Sequence, residues 1–201
     1  MSQFIETIKL IETEYQHIDL HMQRIQETCM KFYGQQKDLK DIRKRLKAVG
    51  NKPGIYKVSI QYDLDSSSID AVTYFKRNIH QLVLIEDDEI QYEYKFANRT
   101  RLEQLQKLAG AENECIIIQN NRVTDASYAN LVFWTGTEWH TPSRPLLAGT
   151  KRKFLLKSKQ IIEKDILVSD LPKYQKVTLI NAMLELGDIE CGIDRIIHLS
   201  N

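Results

Sequence analysis

The segment YEYKFANRTRLEQL, residues 92–105, is the most informative stretch of the chain. It places Lys95 among aromatic residues in a β-like run that leads into a helix predicted over residues 100–110. A lysine in such a run is most often a surface residue whose aliphatic stem covers apolar groups. A desolvated lysine, in contrast, loses its proton readily and is a candidate nucleophile. The rest of the sequence has to distinguish these two interpretations.

Five further blocks favour the functional interpretation of Lys95. They are FIET (4–7), HMQR (21–24), VTDASYANL (123–131), PLLAGTKR (145–152) and INAM (180–183). In this order and spacing, the blocks resemble the class IV aminotransferase family over residues 4–183, which is most of the chain. Members of that family bind pyridoxal 5'-phosphate (PLP) as an aldehyde condensed onto a lysine. The resemblance implies that the chain is an enzyme and that Lys95 is this catalytic, cofactor-binding lysine.

The same resemblance implies which other residues bind PLP. Asp125 falls where the family places the partner of the pyridine nitrogen, although relatives usually carry the longer glutamate there. The amides after Gly149 would bind the phosphate, because a helix N-terminus favours an anion. The predicted cofactor residues are Lys95 for the aldehyde, Asp125 for the pyridine nitrogen, Leu147 against the ring, and Arg24, Thr150, Lys151, Asn181 and Ala182 for the phosphate.

The lysine block also bears on the type of reaction. The run KFANR, residues 95–99, with the Leu-Glu-Gln that follows it, looks most like 4-amino-4-deoxychorismate lyases. Aminotransferases of the family tend to have a tyrosine where this chain has Thr100. The resemblance therefore implies a lyase of folate biosynthesis that forms 4-aminobenzoate and pyruvate. Two alternatives stay open, namely an aminotransferase of D-amino or branched-chain amino acids and a non-catalytic binding protein.

Composition limits the other classes of function. The chain has 201 residues with 42% hydrophobic and 27% charged residues, which is typical of a globular protein with a sizeable core. The net charge of +1 argues against binding to nucleic acid or to an anionic membrane surface. No signal peptide or membrane span is predicted, which favours a cytoplasmic location. Cys29, Cys115 and Cys191 lie far apart, so neither a metal site nor a disulfide framework is expected.

The pattern of helices and strands predicts an α+β fold with mixed sheets. We expect two small α/β domains, a small N-terminal domain over residues 1–76 and a PLP-binding domain over residues 77–201. The resemblance adds a D-amino-acid aminotransferase-like fold with a shortened N-terminus, and a homodimer as in relatives. Helices are predicted over residues 20–33, 35–49, 100–110 and 151–158. Strands are predicted over residues 4–11, 55–64, 69–75, 80–85, 115–119, 130–135, 138–140, 160–168, 176–182 and 191–198.

Overall fold

The computed structural model describes residues 3–49 and 53–199, and the chain divides into two compact units. The first unit comprises Met1–Lys76 and Tyr94–Asn98, and the second comprises Arg77–Glu93 and Arg99–Asn201. The predicted division assigned Lys95 to the second domain, whereas the structure groups it with the first unit. The reason is backbone pairing, because the Ile5 N–H donates to the Lys95 carbonyl over 2.9 Å.

The first unit is an antiparallel sheet with two helices. Within its described residues, the sheet has four strands in the order β2-β1-β3-β4. Its elements are β1 (Phe4–Ile11), β2 (Glu14–Tyr15), α1 (Ile18–Tyr33), α2 (Lys40–Val49), β3 (Ile55–Tyr62) and β4 (Ser67–Thr73). Alternate residues of β1, such as Phe4 and Ile8, are buried in one core with Ile25 of α1 and Ile42 of α2. Both helices therefore cover the same face of this sheet.

Most local predictions for the first unit are confirmed, and the exceptions concern helix ends. The strand predicted over residues 4–11 has those bounds. The helix predicted from residue 20 begins at Ile18, after His17, whose backbone is left-handed at φ 53°. The helix predicted from residue 35 begins only at Lys40, whose N–H donates to the Asp38 carboxylate over 2.9 Å. An Asp two residues upstream thus stops the helix from extending backwards.

Lys37 falls within the helix predicted over residues 35–49, but it lies before α2 begins. Its side chain is buried, and its Nζ donates to the carbonyls of Leu64 and Ser66 over 2.8 and 3.0 Å. The ammonium therefore closes the turn between β3 and β4. The burial of Lys37 depends on contacts with residues distant in sequence, which a pattern of charged residues does not predict.

The second unit contains a larger, mixed sheet. Among the described residues this sheet has nine strands, with the main path β10-β9-β8-β7-β6-β5-β13 and with β11 and β12 joined to β8. Its elements are β5 (Leu82–Glu86), α3 (Thr100–Ala109), β6 (Glu114–Gln119), β7 (Arg122–Ala126), β8 (Asn130–Trp134), β9 (Trp139–Pro142), α4 (Thr150–Lys157), β10 (Ile162–Lys164), β11 (Lys176–Ile180), β12 (Glu190–Gly192) and β13 (Ile196–His198). The α+β fold with mixed sheets is confirmed, because β5 pairs in parallel with β6 while β6 and β7 are antiparallel.

Two long strands predicted near the C-terminus are shorter in the structure. The strand predicted over residues 160–168 is reduced to β10, and a 3-10 helix follows at Val168–Lys173. The strand predicted over residues 191–198 is interrupted by a 3-10 turn at Ile193–Arg195. Apolar periodicity over so few residues does not separate a continuous strand from two short ones. In the part of the chain that the structure describes, no helix is long and apolar enough to cross a membrane.

Candidate active site

Lys95 lies on a short segment that pairs with β1 in the first unit. Phe96 forms an antiparallel bridge with Phe4, and the Ala97 N–H donates to the Gln3 carbonyl over 2.8 Å. Directly opposite residues share a face of the sheet, so Phe96 lies with Phe4 on the side of the helices. Lys95, one residue earlier, belongs to the other face, and its side chain is half-buried.

The aromatic neighbours of Lys95 anchor its backbone. We expected Tyr94 and Phe96 to shield the ammonium from water. Instead, the ring of Phe96 lies 5.4 Å from Phe4, and the ring of Tyr94 lies 4.8 Å from Phe32 on α1. The strand alternation places both rings on the face opposite to Lys95. Their contribution is to fix the position of the segment rather than to surround the amine.

Arg24 forms a buried ion pair on the helix side of the first sheet. Its Nε and Nη2 donate to the two carboxylate oxygens of Glu6 over 2.7 and 2.6 Å. The ring of His21 also contacts Glu6, with Nδ1 2.6 Å from Oε2. This pairing engages two of the five N–H groups of the guanidinium. The structure therefore brings Arg24 and His21 together around Glu6, on the opposite face of β1 from Lys95.

Glu6 was not predicted as a site residue. Burial alone would raise the pKa of this carboxyl, but the charge of Arg24 and the hydrogen bonds from His21 and Arg24 outweigh it and hold the pKa at about 2. Glu6 is thus ionised at neutral pH and orients both side chains of the HMQR block. A signal was available, because Glu6 lies inside the FIET block that carried the resemblance.

Asp125 is buried at the end of β7 in the second unit. Its oxygens accept hydrogen bonds from the Asn130 amide over 2.7 Å and from the Leu147 N–H over 2.9 Å. Desolvation raises the pKa of this carboxyl to about 7, although these hydrogen bonds and the charge of Arg152 lower it. Asp125 therefore holds the segment around Leu147, whose own side chain is half-buried.

Asn130 completes this arrangement and was not predicted as a site residue. Its side-chain nitrogen donates to the Leu147 carbonyl as well, over 2.8 Å. A Cβ added to Gly149 would overlap its Oδ1. Glycine is therefore required where the loop meets Asn130, just before α4 begins. The sequence signal was the position of Asn130 in the VTDASYANL block, across a tight turn from Asp125.

The start of α4 has the properties of an anion site. Its first turn holds Thr150, Lys151 and Arg152, all buried, and contains no acidic residue. Helices normally place acidic residues in the first turn, because the dipole is positive there. Lys151 pairs with Glu185 over 2.7 Å, and Arg152 pairs with Glu163 over 2.6 Å. This donor set fits a phosphate group bound by the backbone amides.

The remaining predicted residues lie after β11. Asn181 accepts hydrogen bonds from the N–H groups of Met183 and Leu184 over 2.8 and 3.0 Å. Its amide nitrogen donates to the Tyr128 carbonyl over 3.2 Å. Ala182, inside this turn, is half-buried. The Asn181 side chain therefore shapes the turn, and a phosphate contact there would come from the backbone.

The loop between β7 and β8 is held by Arg99 and by Glu114 of β6. Arg99 donates to the Ser127 carbonyl over 2.8 Å, and the Ser127 N–H donates to the buried Glu114 over 3.0 Å. Glu114 also pairs with Arg77 over 2.9 Å. Within the residues described, no cluster of three or more His, Cys, Asp or Glu side chains could hold a metal ion.

Comparison with known proteins identifies the family of the chain. The model of the amino-transferase class IV family matches residues 3–190. The chain belongs to the class IV aminotransferase family. This family consists of PLP-dependent enzymes, so the predicted family and enzyme class are confirmed.

Individual relatives show the same fold along nearly the whole chain. A solved structure from Haemophilus somnus, provisionally named a 4-amino-4-deoxychorismate lyase, is 33% identical, with a TM-score of 0.86, and the match covers 92% of this chain and 98% of that one. An uncharacterized protein of Haemophilus influenzae is 29% identical over 187 residues, covering 91% of this chain and 98% of the relative. A PLP-bound hypothetical aminotransferase of Mycobacterium tuberculosis shares the fold at 13% identity, with a TM-score of 0.79 and coverage of 97% and 81%.

Proposed function

We propose that the protein is a PLP-dependent 4-amino-4-deoxychorismate lyase of folate biosynthesis that releases 4-aminobenzoate and pyruvate. The observation that carries the proposal is Lys95, held by backbone pairing with β1 within a KFANR block that resembles the lyases. The relative that is 33% identical and provisionally named as such a lyase adds support.

Lys95 has two proposed roles. It attaches the cofactor and, once the substrate amine has displaced it, takes the proton from the amine-bearing carbon as a general base. PLP, when bound, supplies an electron sink for the charge that develops on that carbon. Lys95 is half-buried. Its fixed backbone limits the positions that the amine can reach.

Asp125 is proposed to face the pyridine nitrogen, and Leu147 to pack on the ring. The Leu147 N–H and the Asn130 amide hold the carboxylate in one orientation. A protonated pyridine nitrogen beside Asp125 would favour the ionised carboxylate. It would therefore lower the raised pKa of this buried acid. Asp125 is shorter than the glutamate that relatives usually carry, and these two hydrogen bonds fix its position in the proposed site.

The phosphate is assigned to backbone amides and one guanidinium. We propose Thr150 and Lys151 at the start of α4, and Asn181 and Ala182 after β11, as backbone donors. Arg24 is proposed to add a charged contact with N–H groups other than the two that bind Glu6. Such charge-assisted hydrogen bonds are roughly twice as strong as neutral ones.

The remaining proposals concern the surroundings of the enzyme. We propose a homodimer and a cytoplasmic location, and no binding to nucleic acid or membranes. The net charge of +1 supports the absence of bulk electrostatic binding to such polyanions. Sedimentation of the purified protein would establish whether the dimer forms.

The decisive experiment incubates PLP-loaded protein with 4-amino-4-deoxychorismate, without any keto acid, and follows 4-aminobenzoate and pyruvate. Equal release of both over many turnovers is expected, and Lys95→Ala should abolish it together with the absorbance of lysine-bound PLP. Lys107→Ala is the matched control, since Lys107 is an exposed residue in the last turn of α3. A wild-type protein that visibly holds PLP but releases neither product would refute the lyase proposal. An aminotransferase would then be tested with D- and L-amino donors.

A further inference from the structure

An ion pair joins the two backbone segments that are proposed to bind the phosphate. One segment is the first turn of α4, with Thr150 and Lys151. The other follows β11 and contains Asn181 and Ala182. The Nζ of Lys151 lies 2.7 Å from Oε2 of Glu185, which comes three residues after Ala182. All of these residues belong to the second unit, so the pair bridges two segments of one compact body.

The lysine of this pair is buried and contacts two partners. The Lys151 side chain is only 3% exposed. Besides the contact with Glu185, its ammonium lies 5.7 Å from the centre of the Phe154 ring, which attracts a cation and is close to one turn further along α4. Phe154 in turn packs against the buried residues Val132 and Ile180. The ammonium therefore has a defined position beside the start of the helix.

The glutamate of the pair extends from a closed turn. The Glu185 N–H donates to the Asp188 carboxylate over 2.9 Å, and the Asp188 N–H donates back to the Glu185 carbonyl over 3.1 Å. The Gly187 N–H donates to the hydroxyl of Thr178 on β11 over 3.1 Å. The backbone of Glu185 is therefore anchored to β11, although half of its side chain is exposed to water.

A second basic residue ties the start of α4 to other strands. Nη2 of Arg152 donates to the Pro142 carbonyl on β9 over 2.8 Å and to Glu163 on β10 over 2.6 Å. Arg152 thus fixes the helix against β9 and β10, whereas Lys151 fixes it against the turn after β11. The distance between the two phosphate-binding segments therefore depends on the contact that Lys151 makes with Glu185.

We propose that Lys151 and Glu185 are positioning residues whose ion pair sets the spacing of the two backbone segments around the cofactor phosphate. This inference rests on the proposed function, in which both segments bind that phosphate. Hydrogen bonds from N–H groups weaken steeply when donor and acceptor are misaligned, so a changed spacing lowers the affinity for phosphate. The pair acts through the backbone, because the ammonium itself donates to Glu185 and lies over the Phe154 ring.

A direct contact between the Lys151 ammonium and the phosphate is the alternative mechanism, and Glu185 distinguishes the two. A carboxylate 2.7 Å from the ammonium offsets part of the positive charge that a phosphate would meet. If the ammonium bound the phosphate directly, removal of the Glu185 charge would strengthen PLP binding. If the pair positions the backbone, the same removal weakens it. The two mechanisms thus predict opposite signs for one substitution.

The test titrates the whole chain, freed of PLP, with PLP and with pyridoxal, and follows the absorbance of the lysine-bound aldehyde. Pyridoxal lacks the phosphate and is therefore the control ligand. Lys151→Met and Glu185→Gln should each weaken PLP binding about fivefold or more, as expected for a coupled pair in contact, and should leave pyridoxal binding unchanged. Lys151→Arg should retain most of the PLP affinity. Lys157→Met, at an exposed position in the last turn of α4, should behave as wild type.

The double variant Lys151→Met/Glu185→Gln should bind PLP no more weakly than either single variant, because only one contact is lost. Tighter PLP binding by Glu185→Gln, additive losses in the double variant, or equal losses for pyridoxal would overturn the proposal. A coupling that appears in urea denaturation of the PLP-free variants but not in their PLP affinity would also overturn it. Release of 4-aminobenzoate by the wild type decides the lyase proposal, whereas these affinities decide the role of the pair.

Discussion

Replacing Gly149 with alanine tests the contact that shapes the start of α4. The backbone of Gly149, at φ −64° and ψ 145°, suits any L-residue, so the substitution introduces no backbone strain. The new Cβ would overlap Oδ1 of Asn130 and would lie 3.2 Å from its Cγ. Asn130 is buried and tied at its nitrogen to Asp125 and Leu147, so it has to give up these bonds to move.

The expected loss of stability in Gly149→Ala follows from the hydrogen bonds that Asn130 would lose. A hydrogen bond to a carboxylate contributes about 1.5–3 kcal/mol, and one to a carbonyl about 1 kcal/mol. We therefore expect Gly149→Ala to lower the free energy of unfolding by about 2–4 kcal/mol, measured by urea denaturation of the PLP-free protein.

A double-mutant cycle makes this reasoning refutable. In an Asn130→Ala background the obstructing oxygen is gone. Gly149→Ala should there be neutral or stabilising by about 0.5 kcal/mol, because alanine restricts the unfolded chain. The coupling between the two sites should thus be about as large as the single-mutant cost. Equal destabilisation by Gly149→Ala in both backgrounds would show that the contact with Asn130 does not determine the glycine.

Two further predictions concern pH. Glu6→Gln should cost about 3 kcal/mol at neutral pH by removing the carboxylate that pairs with Arg24. Because the folded pKa of Glu6 lies below its usual 4.5, wild-type stability should fall as the pH drops from 4.5 to about 2, and the variant should lose this dependence in acid titrations followed by circular dichroism. For Asp125 the change of stability with pH has the opposite sign. Its folded pKa of about 7 exceeds the usual 3.8, so the folded state binds the extra proton. The contribution of Asp125 to stability should diminish as the pH rises from 3.8 to 7. In Asp125→Asn, the midpoint temperature of thermal unfolding should depend less on pH across that range. An unchanged pH profile in either variant would contradict the assigned carboxyl.

The sequence predicts those parts of this fold that depend on neighbouring residues. The strand at Phe4–Ile11 and the end of α3 at Gly110, with φ at 93°, follow from alternation and from turn chemistry. The burial of Lys37 and the contact of Asn130 with Gly149 depend on residues distant in sequence, and no local pattern contains them. The family blocks contain Asp125 and Arg24 and also their partners Asn130 and Glu6, but the hydrogen bonds that join them emerge only from the packing.

The position of Lys95 depends on the aromatic residue beside it. Because side chains alternate, a slip of one residue in this segment would place Phe96 on the sheet face away from the helices and the lysine in the core. The ring of Phe96 packs 5.4 Å from Phe4 and 5.8 Å from Phe32, which makes such a slip costly. The ion pair of Glu6 and Arg24 adds a second constraint, since both side chains lie on the helix face of the sheet. The apolar packing of the helix face thereby fixes Lys95 on the other face of the sheet.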